Sequence, residues 1–133
     1  MKNLNVVAAV IQYQDKVLCA LKGHHKHSYL SNKYEFPGGK VELSETAEQA
    51  LVREIKEELN LDIHVTAHLL TVEHSYPDFH IQLATFCCVV HSIENLVLNE
   101  HQGVQWYTTD ELEQLDWAAA DVPIVKYLIE NKI

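Results

Sequence analysis

Residues 45–59 are the most strongly helical stretch of this chain, and strand-like stretches on both sides of it restrict the fold to an α/β arrangement. Ala47, Ala50, Leu51 and Ile55 recur at the spacing of an amphipathic helix. The flanking stretches are rich in β-branched and aromatic residues, which is typical of strands. A helix of this kind needs a sheet to cover its apolar face, so we expect one α/β domain over the 133 residues.

Capping and turn residues predict where the elements begin and end. Ser44 is a suitable N-cap for the helix, Glu45 would lie in its first turn, and Asn60 favours the left-handed conformation that ends a helix. Thr108 and Asp121 are predicted to cap two further helices, which reach residues 115 and 131. Strands are predicted at 5–13, 17–21, 34–36, 62–74, 80–91 and 103–107.

Charge and composition exclude several classes of protein. A formal charge of -9 argues against binding to a nucleic-acid polymer, which needs a basic surface. No apolar run approaches the ~18 residues of a membrane helix, and residues 6–11 are too short for the core of an export signal. Three cysteines, two of them adjacent, suit reduced thiols better than a disulfide framework. We expect a cytoplasmic protein, monomer or homodimer, with no membrane partner.

Three carboxylates break the helical pattern. Glu54, Glu57 and Glu58 fall on the apolar side of the helical wheel, one or two turns beyond the alanines. Residues three and four apart are neighbours, so these side chains repel one another unless a cation lies between them. The alternative is a solvated acidic face balanced by Arg53 and Lys56, but that interpretation does not explain why the carboxylates border the apolar face.

A glycine turn, Pro37-Gly38-Gly39, precedes the helix and would let the backbone approach these carboxylates closely. Mg²⁺ takes carboxylate and carbonyl oxygens and bridges to substrate phosphates, and such a metal ion can generate a hydroxide nucleophile. The pattern therefore predicts a phosphate-cleaving hydrolase that uses Mg²⁺, with Mn²⁺ as a substitute. The polar stretch 22–33, which contains His24–His27, is interpreted as a loop and not as a second metal site, because no zinc-like ligand spacing follows it.

Residues 39–61 resemble the signature of the Nudix hydrolases. Gly39 is followed after five residues by Glu45, and after seven more by Arg53-Glu54-Ile55-Lys56-Glu57-Glu58-Leu59-Asn60-Leu61. The one departure is Asn60 in place of Gly, which keeps the helix-ending geometry. Stretches 34–40, 77–81, 100–102 and 120–124 are similar to the MutT-type branch, which hydrolyses (deoxy)nucleoside triphosphates to monophosphate and pyrophosphate. The resemblance implies the Nudix fold, a mixed β-sheet sandwiched between α-helices.

The resemblance also implies roles for individual residues. The implied metal ligands are the Gly38 carbonyl, Glu54, Glu57, Glu58 and Glu100; Arg53 would orient the catalytic glutamates, and Glu100 would be either a ligand or the base that activates water. The implied substrate-binding residues are Lys22, Glu35, Phe36, Pro37, Gly38, Gly39, Lys40 and Asp121. The MutT-type branch often carries an Arg at the position of Lys22, and the single ammonium group of Lys lacks the paired donors of the guanidinium. Alternatively, Phe36 is ordinary core, Glu100 a polar loop residue and Asp121 a helix cap alone.

Three functions fit this sequence. The first is a nucleotide-pool enzyme similar to 8-oxo-dGTP diphosphatases, with a CTP or dCTP pyrophosphohydrolase as its alternative. The second is a Nudix hydrolase of another nucleoside diphosphate derivative such as ADP-ribose. The third is a non-catalytic nucleotide sensor, which would not need the intact acidic trio. Asp121 would select the base, because an ionised carboxylate accepts from the amino groups of cytosine or guanine, whereas thymine and uracil have none.

Overall fold

The computed structural model describes residues 2–131 and contains one seven-stranded sheet flanked by helices. The strands are β1 (Lys2–Tyr13), β2 (Lys16–Leu21), β3 (Tyr34–Glu35), β4 (Gly38–Lys40), β5 (His64–Ser75), β6 (Phe79–Val89) and β7 (Gly103–Tyr107). The α-helices are α1 (Ala47–Leu59) and α2 (Val122–Asn131), and 3₁₀ turns cover Thr109–Gln114 and Ala119–Asp121. Within these residues, no helix combines the length and the apolar character that crossing a bilayer requires.

Strand β1 is the centre of the sheet and makes it mixed. It pairs with β6 in parallel, from Lys2 opposite Phe79 to Gln12 opposite Val89, and with β2 and β4 in antiparallel fashion. The order across the sheet is β3-β2-β1-β6-β5, with β4 on β1 and β7 on β2. The parallel pairing brings residues from the two halves of the chain side by side on one face.

Alternate residues of β1 point to opposite faces of the sheet, so two cores form. One core contains Val7, Ala9 and Ile11 with Leu51, Ile55 and Leu59 of α1; the other contains Ala8 and Val10 with Ile124 and Leu128 of α2. The sheet therefore lies between α1 and α2, and the predicted sandwich is confirmed.

Helix α1 begins two residues later than predicted. Thr46 is its N-cap: the Thr46 hydroxyl accepts from the Gln49 backbone N–H at 3.1 Å, and the Gln49 side chain accepts from Thr46 N–H at 2.9 Å. Ser44 lies in the preceding turn with a φ of 72°, so the prediction that it caps the helix is wrong. At the other end Asn60 has a φ of 55°, the predicted left-handed conformation.

The predicted glycine turn is partly a strand. Gly38–Lys40 pairs with Val6–Ala8 of β1, and a Cβ added to Gly38 would overlap the backbone carbonyl of Val7. Glycine is required there because two backbones approach one another closely. This pairing fixes β4 beside α1 and positions the glycines next to the acidic helix face.

Candidate active site

Arg53 organises the acidic groups on the solvent side of α1. Its Nε and Nη2 donate to the two carboxylate oxygens of Glu45 at 2.6 and 2.9 Å, and Nη1 donates to Glu54 at 2.8 Å and Glu57 at 3.4 Å. Nη2 also donates to the Lys40 carbonyl at 3.2 Å, which ties the helix to β4. These hydrogen bonds hold the pKa of Glu45 down to about 2 and raise that of Arg53. A planar guanidinium with five donors suits such a network.

Glu58 and Glu54 form a carboxyl pair on the inner side of the same helix. Glu58 is 2 % exposed, and a Cβ added to Gly39 would overlap the Glu54 carboxylate, so Glu54 lies directly against the Gly39 backbone. Burial, followed by the contact with Glu54 and the charges of Glu100 and Glu35, raises the pKa of Glu58 to about 10. Glu58 therefore keeps its proton in the absence of a cation, and a divalent ion could take the place of that proton.

Glu57 and Glu100 lie further out. The Glu57 side chain is 56 % exposed, so the prediction that it borders the buried face is wrong; its polar contact is Arg53. Glu100 is exposed in the loop between β6 and β7, on the side of Glu58. Within residues 2–131, no three His, Cys, Asp or Glu side chains are placed to hold a metal as they stand.

The donor set still suits a hard cation. The groups around Gly39 are carboxylate and carbonyl oxygens, which Mg²⁺ prefers, and Glu58 is a buried acid with no cationic partner among the described ion pairs except the weak contact with His101. A buried carboxyl next to a second one is costly to ionise unless a positive charge compensates it. The residues present therefore fit a divalent cation.

A cavity of about 640 Å³ opens on the α2 side of the sheet, and Gly39, which lies against Glu54, is part of its lining. Leu4 and Val6 of β1 and Phe79, Ile81 and Leu83 of β6 line its apolar wall. Seven of the eight predicted substrate residues also line it: Lys22, Glu35, Phe36, Gly38, Gly39, Lys40 and Asp121. Its volume suits a nucleotide, and Gly39, which lies against Glu54, belongs to both the cavity and the carboxyl cluster.

Pro37 and Phe36 are both predicted to line the nucleoside pocket, and only Phe36 lines the cavity. Pro37 is buried between two lining residues but is not itself part of the cavity lining, and its carbonyl accepts from Ala9 N–H at 2.8 Å, so its place in the nucleoside pocket stays a prediction. The Phe36 ring is 3 % exposed and stacks on Trp117 with centroids 4.7 Å apart. Phe36 thus serves both as core and as cavity wall.

Asp121 lies at the cavity wall and is not the helix cap that the sequence predicts. It is 6 % exposed, and its Oδ1 accepts from Phe36 N–H at 3.1 Å, linking residues that are far apart in sequence. Burial, with the nearby charge of Glu35, raises the pKa of Asp121 well above its ordinary value. Its surroundings therefore disfavour an ionised carboxylate, and the role of Asp121 in selecting the base stays a prediction.

His101, a residue with no role predicted from the sequence, lies between the cavity and the carboxyl cluster. Its Nε2 is 2.9 Å from Glu35 Oε2, and its Nδ1 is 3.8 Å from Glu58 Oε1. Lys22 Nζ lies 3.6 Å from the other oxygen of Glu35. The one sequence signal for His101 is its position directly after Glu100, in a stretch that resembles the family.

The histidine-rich stretch 22–33 is a loop, as predicted. His27 Nδ1 lies 3.3 Å from Asp78 Oδ2, and the Tyr29 hydroxyl donates to the same oxygen at 2.6 Å. His25 and His27 both line the cavity. The loop therefore closes one side of the cavity by joining the turn between β5 and β6.

Comparisons with known proteins agree with this geometry. The NUDIX domain family matches residues 1–128. The CTP pyrophosphohydrolase of Escherichia coli K12 is 34 % identical, over 95 % of this chain and 91 % of that protein. The 8-oxo-dGTP diphosphatase of the same organism is 30 % identical, over 96 % of this chain and 98 % of that protein.

Solved structures show the same fold. The MutT protein of methicillin-resistant Staphylococcus aureus 252 superimposes with a TM-score of 0.77 at 41 % identity, over 98 % of this chain and 99 % of that one. The E. coli ORF135 protein gives a TM-score of 0.83 at 31 % identity, over 99 % and 92 %. Sequence and fold agree along nearly the whole chain, and this protein belongs to the Nudix hydrolase family.

Proposed function

We propose that this protein is a nucleoside triphosphate diphosphatase of the nucleotide pool, which releases a monophosphate and pyrophosphate and uses Mg²⁺, with Mn²⁺ as a substitute. The observation that carries the proposal is the carboxyl pair of buried Glu58 and Glu54, with Glu54 against Gly39 in the lining of a cavity that fits a nucleotide. A sensor without catalysis would bear the cost of burying Glu58 beside a second carboxyl group without using either of them.

The residues divide into a cation-binding group and a nucleotide-binding group. The proposed cation ligands are the Gly38 carbonyl, Glu54, Glu57, Glu58 and Glu100. A divalent cation bound there would neutralise phosphate oxygens and make a water molecule more acidic. Arg53 holds Glu54 in place through its 2.8 Å hydrogen bond, and Lys22 at the cavity would pair with a phosphate. The exposed Glu100 would act on the reacting water, as base or ligand.

The favoured substrate is an oxidised guanine nucleotide such as 8-oxo-dGTP, with CTP or dCTP as the alternative. Relatives named for either activity have similar identities, 30 % and 34 %, so identity does not separate them. Asp121 at the cavity wall would accept, through a carboxyl oxygen, from the amino group of 8-oxoguanine or cytosine. Thymine and uracil have no amino group, so we expect them to be poorer substrates.

The test is pyrophosphate release with Mg²⁺ from 8-oxo-dGTP, dGTP, CTP, dCTP, dTTP and UTP, with ADP-ribose as a non-triphosphate. We expect kcat/KM for 8-oxo-dGTP or a cytidine nucleotide to exceed that for dTTP by ~10²-fold or more. Asp121→Asn, which keeps an acceptor for Phe36 N–H, should alter the base ranking while retaining the fold.

Three outcomes would contradict the proposal. Preference for ADP-ribose would indicate another Nudix activity, and nucleotide binding without turnover would indicate a sensor. If Asp121→Ala melts earlier but keeps the wild-type base ranking, Asp121 has a structural role only.

A further inference from the structure

The tip of the histidine-rich loop, residues 24–31, is bonded mainly to itself. His25 N–H donates to Ser31 Oγ at 3.0 Å, and His27 N–H donates to His25 Nδ1 at 3.0 Å. The His27 carbonyl accepts from Ser31 N–H at 3.1 Å. Among the hydrogen bonds and ion pairs in the described part of the chain, only those to Asp78 join the tip to the rest of the protein. The tip can therefore move as one body.

The base of the same loop is held separately from the tip. Lys22 N–H donates to the Lys33 carbonyl at 2.9 Å, and Asn32 N–H donates to the Gly23 carbonyl at 3.1 Å. The Lys33 ammonium group also pairs with Asp116 at 2.8 Å. A segment that is anchored at its base and bonded to one carboxylate at its tip has the construction of a lid.

One oxygen of Asp78 holds the tip in place. It accepts from the Tyr29 hydroxyl at 2.6 Å and lies 3.3 Å from His27 Nδ1. The rings of His27 and Tyr29 stack with centroids 5.1 Å apart, and Tyr29 stacks in turn on Tyr76 at 5.2 Å. Tyr76 is buried, and its hydroxyl accepts from Ala120 N–H at 2.9 Å. These stacked rings position the tip relative to Ala120 in the cavity wall.

The tip forms part of the cavity in this position. His25, Lys26, His27 and Leu30 all line it. A nucleotide in the cavity would contact these side chains, so its binding would favour the closed position and its release would require the tip to move away. The Asp78 side chain is 56 % exposed, and water can replace its hydrogen bonds when the tip detaches.

We propose that residues 24–31 form a lid over the nucleotide cavity and that Tyr29 and Asp78 form the latch that holds this lid closed. Both are positioning residues, because their contacts lie outside the carboxyl cluster of Glu54 and Glu58. The proposal rests on the proposed function for the identity of the nucleotide. Because one side chain makes the polar contacts of the tip, its removal should free the lid without unfolding the sheet.

Four variants test the latch. Tyr29→Phe keeps the stacked ring and loses the hydroxyl donor. Asp78→Ala loses the acceptor, whereas Asp78→Asn keeps a carbonyl oxygen that can accept from Tyr29. The double variant Tyr29→Phe/Asp78→Ala measures whether the two residues act through one another. Asp116→Ala is the matched control, because it removes a carboxylate that also holds this loop, through Lys33, but at the base and outside the cavity lining.

Tryptic cleavage after Lys26, followed by mass spectrometry, reports how often the tip is detached. Lys26 is exposed at the tip, and a protease needs a free stretch of chain. Without nucleotide, Tyr29→Phe and Asp78→Ala should be cleaved about 5- to 10-fold faster than the wild type. The double variant should be cleaved no faster than Asp78→Ala. Asp78→Asn should fall between Asp78→Ala and the wild type, and Asp116→Ala should keep the wild-type rate.

The monophosphate products 8-oxo-dGMP and CMP test whether the lid covers a nucleotide. Calorimetry first gives the Kd of each. At ~10 times its Kd, a monophosphate that binds under the lid should slow cleavage of the wild type roughly 10-fold. Its dissociation rate, measured by stopped flow, should be about 5- to 10-fold higher in Asp78→Ala, because the same latch has to open for release.

The latch is overturned if Tyr29→Phe and Asp78→Ala keep the wild-type cleavage rate, or if their effects add in the double variant. It is equally overturned if Asp116→Ala accelerates cleavage as much as Asp78→Ala, because any loosening of the loop would then suffice. If a bound monophosphate leaves cleavage unchanged, the tip is not a lid over the nucleotide. If neither monophosphate binds, the proposed base preference fails, and the order of the cleavage rates still supports or overturns the latch. Should Asp78→Ala fail to fold, the rate for Tyr29→Phe decides.

Discussion

Replacement of Glu58 by glutamine should stabilise the protein in EDTA while lowering its turnover by ~10²-fold or more. Glutamine has the same shape as a protonated glutamate but no proton to lose. In the wild type, burial and the neighbouring carboxyl groups raise the pKa of Glu58 from 4.5 to about 10. Because the folded protein binds this proton more tightly than the unfolded chain does, the free energy of unfolding falls as pH rises from about 4.5 to about 10.

The size of the effect follows from this pKa. At pH 7 the wild type has moved about 2.5 pH units above 4.5, and each unit corresponds to about 1.4 kcal/mol. At pH 7 the wild type has therefore lost roughly 3 to 4 kcal/mol of unfolding free energy relative to low pH, and the glutamine variant has not. For a chain of 133 residues, that difference corresponds to a rise in Tm of roughly 10 °C.

The assay is thermal unfolding of both proteins between pH 4.5 and 9, in EDTA and in millimolar Mg²⁺. In EDTA the two Tm values should coincide near pH 4.5 and separate as pH rises. Other groups titrate in both proteins, Asp121 among them, so the difference between the two isolates Glu58. In Mg²⁺ the free energy of unfolding of the wild type should rise by ~2.7 kcal/mol when the ion is at 100 times its Kd. The free energy of unfolding of the glutamine variant should rise much less. Glu48→Gln is the control, since Glu48 is exposed on the same helix.

Two results would refute this reasoning. One is a glutamine variant that is less stable than the wild type at pH 8 in EDTA, which would mean that Glu58 has a favourable partner. The other is a difference in Tm that does not change with pH, which would mean that Glu58 is ionised or neutral throughout.

Further variants test the other parts of the site. Arg53→Lys should lower turnover roughly 10- to 100-fold and lower Tm, because a single ammonium group cannot make the several hydrogen bonds of the guanidinium. The control Lys56→Arg should change neither turnover nor Tm in the same assays. Gly39→Ala should fold, by circular dichroism, but lose most activity, because the methyl group would displace the carboxylate of Glu54; retained activity would contradict that contact. Glu100→Gln should lower kcat more than it raises KM, with a change in unfolding free energy within about 0.5 kcal/mol, and unchanged kcat would exclude it as base or ligand.

The elements of the fold were predictable because their signals are local. The spacing of Ala47, Ala50, Leu51 and Ile55 predicts α1, and the pattern does not depend on distant contacts. The start of α1 was missed by two residues, since Ser44 and the residue two positions on can both cap a helix. The reciprocal hydrogen bonds between Thr46 and Gln49 favour the later cap. The residue types near the start of the helix do not show which of the two candidates makes such bonds.

The burial of the site residues was not predictable, because it depends on partners distant in sequence. A helical wheel gives the direction of Glu57 but not what covers that turn of the helix, and in the structure the side chain is mostly exposed. His101 is buried by Glu35 and Glu58, which lie 66 and 43 positions earlier, and no periodic pattern marks it. The environment of Asp121 depends likewise on its hydrogen bond with Phe36, 85 positions away.

The site is destabilised by its own charges on the inner side and stabilised by Arg53 on the outer side. Glu58 and Asp121 are nearly fully buried, and the pKa of each is raised by burial and by the charge of Glu35. Arg53 offsets the carboxylates that face solvent, but its described hydrogen bonds do not reach Glu58. A divalent cation would supply the missing positive charge at Glu58, so the inner acids are most stable when the cation is bound. Because Glu35 also lies at the cavity wall, the same electrostatics link the state of the acids to occupation of the cavity.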